Sequence, residues 1–165
     1  MADNKPNVEI YTDGACSGNP GKGGYGAVLR YKKLTGEYVT KELSQGFELT
    51  TNNRMELLAV IVALESLKAP CNIVLTSDSK YVLDALTKKW VDGWQAKNWR
   101  NASNKPVKNV DLWKRLLGAM KPHKIEFVWV KGHNGHEFNE ICDKLAVDAY
   151  NGKNLIVDEG FALQD

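Results

Sequence analysis

The chain has 165 residues, enough for one full hydrophobic core and too few for two comfortable ones. A hydrophobic content of 43%, a charged content of 25% and a net charge of +2 exclude a disordered or fibrous protein. No apolar run approaches the ~20 residues that span a bilayer, the polar start Met1-Ala2-Asp3-Asn4-Lys5-Pro6 leads into no signal-peptide core, and Cys16, Cys71 and Cys142 lack a CxxC, so a cytoplasmic, monomeric protein with reduced thiols is expected.

Residues 8–13 alternate, with Val8, Ile10 and Thr12 on one face and Glu9, Tyr11 and Asp13 on the other, which predicts a strand closed by Asp13. Gly18-Asn19-Pro20-Gly21-Lys22-Gly23-Gly24 is a turn-rich connector, and Tyr25 to Tyr31 reads as a second strand. Leu34-Thr35-Gly36-Glu37 is a hairpin turn into a third strand, Tyr38 to Phe47, so the three form an antiparallel meander. A helix follows from Thr51 or Asn52, and Glu56 is the lone acid in its apolar run Met55–Leu64. Ile73–Ser77 is a further strand, closed by Asp78; a helical crossover favours its parallel pairing with the first strand. A short helix from Ser79 to Leu86 precedes a tryptophan-rich basic segment, and an amphipathic helix from Val110 to Met120 stops before Pro122. Ile125–Val130 is the fifth strand, and Glu137–Tyr150, carrying Asp143, is the closing helix. The tail 151–165 has no period and is expected to be loosely attached, with no role assigned. The fold class is α/β: one domain over residues 1–150, with a mixed five-stranded sheet (the meander plus two parallel strands) and helices on both faces.

Four acids stand out in that frame. Asp13 and Asp78 would end adjacent parallel strands, where open α/β sheets build their sites. Glu56 lies on a buried helix and Asp143 just after the Gly132-His133-Asn134-Gly135-His136 loop. Buried acids are costly unless a cation or donors offset them. An oxygen-rich set of this kind suits Mg²⁺ or Mn²⁺. Each acid has a plainer reading: Glu56 could complete a capping box with Asn53, and Asp13 and Asp78 could begin turns. Their joint placement favours a metal site. Zinc on His133, His136 and Cys142 fits no common module.

From Lys88 to Arg115, eight basic residues (among them Lys97 and Arg100) face two acids, which leaves this segment at +6 and the rest of the chain at −4. It also holds Trp90, Trp94, Trp99 and Trp113, four of the five tryptophans. Basic groups interleaved with aromatics make a nucleic-acid-binding surface, although some of these rings are needed for packing. Gly21-Lys22-Gly23-Gly24-Tyr25-Gly26 matches G-x-G-x-x-G but leads into a strand, so no dinucleotide site follows. Its glycines are expected to let the backbone approach nucleic acid closely.

Tyr11-Thr12-Asp13-Gly14, Gly18-Asn19-Pro20-Gly21, Gly24-Tyr25-Gly26-Ala27, Thr51-Asn52-Asn53-Arg54-Met55-Glu56, Thr76-Ser77-Asp78-Ser79, Lys105–Trp113 and Val130-Lys131-Gly132-His133 occur in order over about residues 8–150. Together they resemble the type 1 ribonuclease H family, in its bacterial ribonuclease HI form. The resemblance implies an endoribonuclease that hydrolyses the RNA strand of RNA–DNA hybrids with two Mg²⁺ ions, Mn²⁺ being a possible substitute, and leaves 5′-phosphate and 3′-hydroxyl ends. It implies metal-binding roles for Asp13, Glu56, Asp78 and Asp143, and a proton-transfer or product-release role for His133. Cys16, Asn19, Asn52, Asn53 and Lys80 would contact the hybrid, and Thr51 and Arg54 would help hold a DNA-strand phosphate. Trp90, Trp94, Lys97, Trp99 and Arg100 would belong to a basic handle at about 88–108. Lys80 stands where bacterial relatives commonly carry glutamine, and Gln95 and Ala96 occupy handle positions that are often basic. A DNA nuclease on the same fold and a non-catalytic hybrid-binding module are the competing readings. The complete acid set and the handle weigh against both.

Overall fold

A computed structural model describes residues 5–131 and 136–162. The antiparallel meander is built from β1 (Asn7–Cys16), β2 (Gly21–Lys32) and β3 (Tyr38–Thr50). Helix α1 (Asn52–Glu65) then crosses to β4 (Asn72–Ser77), which pairs parallel with β1. Two short helices, α2 (Lys80–Thr87) and α3 (Trp90–Ala96), lead to α4 (Val110–Met120). The edge strand β5 (Lys124–Trp129) pairs parallel with β4, and α5 (Glu137–Asn151) follows.

The expected five strands become six. β6 (Leu155–Ile156) adds a two-residue parallel pairing to β3, and α6 (Glu159–Ala162) follows it, giving the sheet order β5-β4-β1-β2-β3-β6. The tail expected to be loose is therefore docked through residue 162.

The alternation read in residues 8–13 holds. Val8 and Ile10 join the main core beneath α1, with Ala27, Leu29, Ile73, Leu75, Val82, Trp113 and Leu116. Tyr11 faces the opposite side and packs with Val28 and Cys142 of α5. Helix α1 is buried almost all round, from Arg54 to Leu64, so its polar residues need partners inside the fold.

Two glycines set the interlayer distances. A Cβ at Gly26 would strike the Cys142 carbonyl, and one at Gly14 would strike the α1 backbone at Met55 and Glu56. Gly24 and Gly26 of β2 thus admit helix α5 against the sheet. No described helix is long and apolar enough to cross a membrane.

Candidate metal centre and nucleic-acid interface

The sheet delivers two acids to one end. Asp13 lies in β1 opposite Gly26, and Asp78 follows the last residue of the neighbouring parallel strand, Ser77. Glu56 is placed by the N-terminus of α1, whose cap is Thr51: its backbone is extended and its Oγ1 accepts the Arg54 N–H at 3.3 Å. The capping-box reading of Glu56 fails, because the cap is two residues before Asn53.

Asp13, Glu56 and Asp78 each present a carboxylate oxygen, and these oxygens lie within 4.8 Å of one another. Asp13 and Glu56 are each 6% exposed. Burial, then the charges of Asp78 and Asp143, push the Asp13 carboxyl up to about 8, although the Gly14 N–H donates to Asp13 Oδ1 at 2.9 Å. Burial, followed by Asp13 and Asp78, also raises Glu56 well above the usual carboxylate range. Asp143, half-buried on α5, is near enough for its charge to add to the rise of Asp13. Oε2 of Glu56 is buried with no hydrogen-bond partner among the described residues. Three converging hard oxygen donors, with one buried carboxylate oxygen left unsatisfied, fit a small divalent cation.

The neighbouring surface assembles some of the expected nucleic-acid contacts. Asn19 Oδ1 accepts the Asn52 N–H at 3.2 Å, tying the β1–β2 turn to one of the unpaired donors that start α1. Asn19, Thr51, Asn53, Lys108, Asn109 and Phe161 line a groove of about 780 Å³. A larger groove, about 940 Å³, lies between Lys5, Tyr38, Val74 and Lys124, at the sheet end away from the carboxylates. Cys16 is half-buried beside the acids; burial and the Glu56 charge push its thiol up to about 11, so it stays neutral.

Arg54 is a correction. Its guanidinium is 1% exposed and gripped from both sides, so it cannot take a substrate phosphate. Asp158 receives Nε at 2.7 Å and Nη2 at 3.0 Å, while Asp111 receives Nη1 at 2.9 Å and Nη2 at 2.6 Å. Thr50 Oγ1 donates to Asp158 at 2.6 Å, and Asn109 Oδ1 accepts from Arg54 at 3.3 Å. Burial alone would lower the guanidinium pKa, but the two acids outweigh it and raise it. Sequence reasoning missed Asp158 and Asp111, and its only clue was a cation in an otherwise apolar helix.

In the handle, Lys97 and Arg100 are exposed, Arg100 Nη1 donates to the Asn104 carbonyl at 3.0 Å, and a single bridge joins Arg100 to Pro106. Trp90 is 45% exposed, whereas Trp94 and Trp99 pack partly against the core and Trp113 is fully buried. Trp90 alone of these rings offers a broad open face. Lys80 is exposed at the start of α2, and its Nζ lies 4.7 Å from the Trp129 ring centroid. His133 lies outside the described residues. His136 is exposed at the start of α5, its ring 5.9 Å from that of Tyr11. Cys142 is buried, donates to the Tyr11 carbonyl at 3.2 Å, is pushed upward by burial, and does not join the converging group of Asp13, Glu56 and Asp78.

The family model described as RNase H matches residues 5–151. A ribonuclease H from Novosphingobium aromaticivorans is 62% identical over 142 residues, covering 86% of this chain and 95% of that protein. One from Shewanella amazonensis is 56% identical over 154 residues, covering 93% and 95%. Among solved structures, LC9-RNase H1, described as a type 1 RNase H with the type 2 active-site motif, superposes with a TM-score of 0.83 at 33% identity, covering 99% of this chain and 84% of that one. With its carboxylates clustered at one sheet end, the chain belongs to the ribonuclease H family of enzymes.

Proposed function

We propose that this chain is an endoribonuclease that hydrolyses the RNA strand of RNA–DNA hybrids and leaves 5′-phosphate and 3′-hydroxyl ends. The observation that carries the reading is the convergence of Asp13, Glu56 and Asp78 oxygens within 4.8 Å at the carboxyl end of parallel strands, with the Asp143 charge acting on Asp13 from α5. LC11-RNase H1, 24% identical with a TM-score of 0.62, shares the fold and was crystallised with an RNA/DNA hybrid.

Asp13, Glu56, Asp78 and Asp143 would hold two Mg²⁺ ions, with Mn²⁺ as a substitute. Bound there, the ions would lower the pKa of the attacking water and offset charge on the leaving oxygen. The chain's own residues do the rest. When ionised, the acids repel a phosphate until a cation offsets their charge. Asn19, Asn53 and Thr51 line the 780 Å³ groove, offering donors and acceptors to sugar and phosphate groups. Trp90, Lys97 and Arg100 present ring and charge to the partner strand. His133, placed by sequence next to this site, would move a proton or ease product release. Incubating labelled RNA–DNA hybrid, DNA duplex and RNA duplex with and without Mg²⁺ tests the assignment: only the hybrid should be cut, and only with the metal. Cleavage of DNA duplex would favour the DNA-nuclease reading, and binding without cleavage the non-catalytic one.

A further inference from the structure

Trp129 ends the edge strand β5 in register with Ser77, one residue before Asp78. Ile125 and Phe127, on the same face of the strand, pack against the core, whereas Trp129 extends past it and stays 46% exposed. Two contacts hold the ring there. Its Nε1 donates to the Asp78 carbonyl at 3.2 Å, and the Lys80 ammonium sits 4.7 Å from its centroid. Lys80 lies two residues beyond Asp78, one of the three clustered carboxylates, and carries its charge on a flexible stem. An ammonium entering such a cluster would serve as a counter-ion and compete with a divalent cation.

Resting on the metal-site reading above, we propose that Trp129 is a positioning residue: fixed by its bond to the Asp78 main chain, its ring holds the Lys80 ammonium outside the acid cluster. The lysine keeps its charge for a nucleic-acid phosphate without occupying the cation's place. Cation–π attraction at an exposed site shifts such an equilibrium by about two- to fivefold.

The test is Mn²⁺ titration by calorimetry, without nucleic acid, on the parent, Trp129→Leu, Lys80→Gln and the double variant. Trp129→Leu should weaken Mn²⁺ binding about two- to fivefold. Lys80→Gln should stay near the parent, and the double variant should return to the Lys80→Gln value. An unchanged Trp129→Leu, or a loss that persists in the double variant, would overturn the proposal, since a merely structural tryptophan is not rescued at Lys80. Should Trp129→Leu fail to fold, the Lys80 ε-methylene proton shifts in the parent decide. Ring current should move them upfield of the other lysines, and ordinary shifts would sink the idea. A parent that binds no divalent ion refutes the acid-cluster reading separately, and the proton shifts still judge Trp129.

Discussion

Asp13 is under two opposed demands: without a cation its charge is a liability, and with one it becomes a ligand. Asp13→Asn is therefore expected to abolish Mg²⁺-dependent hydrolysis while hybrid affinity stays within several-fold of the parent, because affinity comes mainly from phosphate contacts. A gel assay showing more than about a tenth of parent cleavage would remove Asp13 from the centre of the chemistry. The same substitution has a stability signature. In the folded, metal-free protein the Asp13 carboxyl titrates near 8 against an ordinary 3.8, so the folded state binds more protons than the unfolded state between those values. Stability must fall as pH rises through that window, and Glu56, raised for the same reason, adds to the slope. Asp13→Asn should stabilise the metal-free protein at pH 8, by at most about 5 kcal/mol for a shift of that size, with the gain vanishing below about pH 4. Urea melts across that range check it, and a pH-independent difference between the two proteins would contradict the assigned cause.

Among the elements, the C-terminal pair β6 and α6 changes the picture most. Asp158 caps α6 by accepting the Phe161 N–H at 3.3 Å, and the same carboxylate grips Arg54 at the start of α1. Removing one partner of a buried ion pair costs more than removing both, because a bare charge remains. Asp158→Leu should thus destabilise by roughly 3 kcal/mol, and Arg54→Met combined with Asp158→Leu by less than the sum of the two single losses. Chemical denaturation of the four proteins gives the coupling; strict additivity would mean that Asp111 alone satisfies Arg54. This clamp was not legible in the sequence. Its two acids lie 57 and 104 residues from Arg54, and a two-residue strand has no period to detect. The larger elements were legible because alternation in residues 8–13 and the unbroken apolar run of α1 each demand one kind of burial. The acid cluster was legible because carboxylates in such places are too costly to be idle. Trp129 escaped notice, since as one aromatic at the end of an apolar strand it looks like core.

At the scale of the whole molecule, charge and chemistry are segregated. The segment from Lys88 to Arg115 holds a +6 excess, while the other parts of the chain, which supply the acid cluster, total −4. Long-range attraction for a polyanion should therefore come from the handle, leaving the acids to act at short range. Lys97→Ala with Arg100→Ala is expected to weaken hybrid binding and to lower the slope of log K against log salt by about 0.9 for each phosphate that is no longer neutralised. Turnover at saturation should change little, and an unchanged salt slope would make the segment an ordinary solvated face. The Arg54 clamp also has a consequence in time. The central helix is synthesised early, but Asp158 leaves the ribosome more than a hundred residues later. A nascent chain that stops short of it carries a guanidinium which the finished fold buries, with one of its two acids still missing. Chains truncated before residue 158 should accordingly stay open to protease around α1, whereas chains that include the Asp158 segment should be protected there, so that a segment made late acts as the latch on a helix made early.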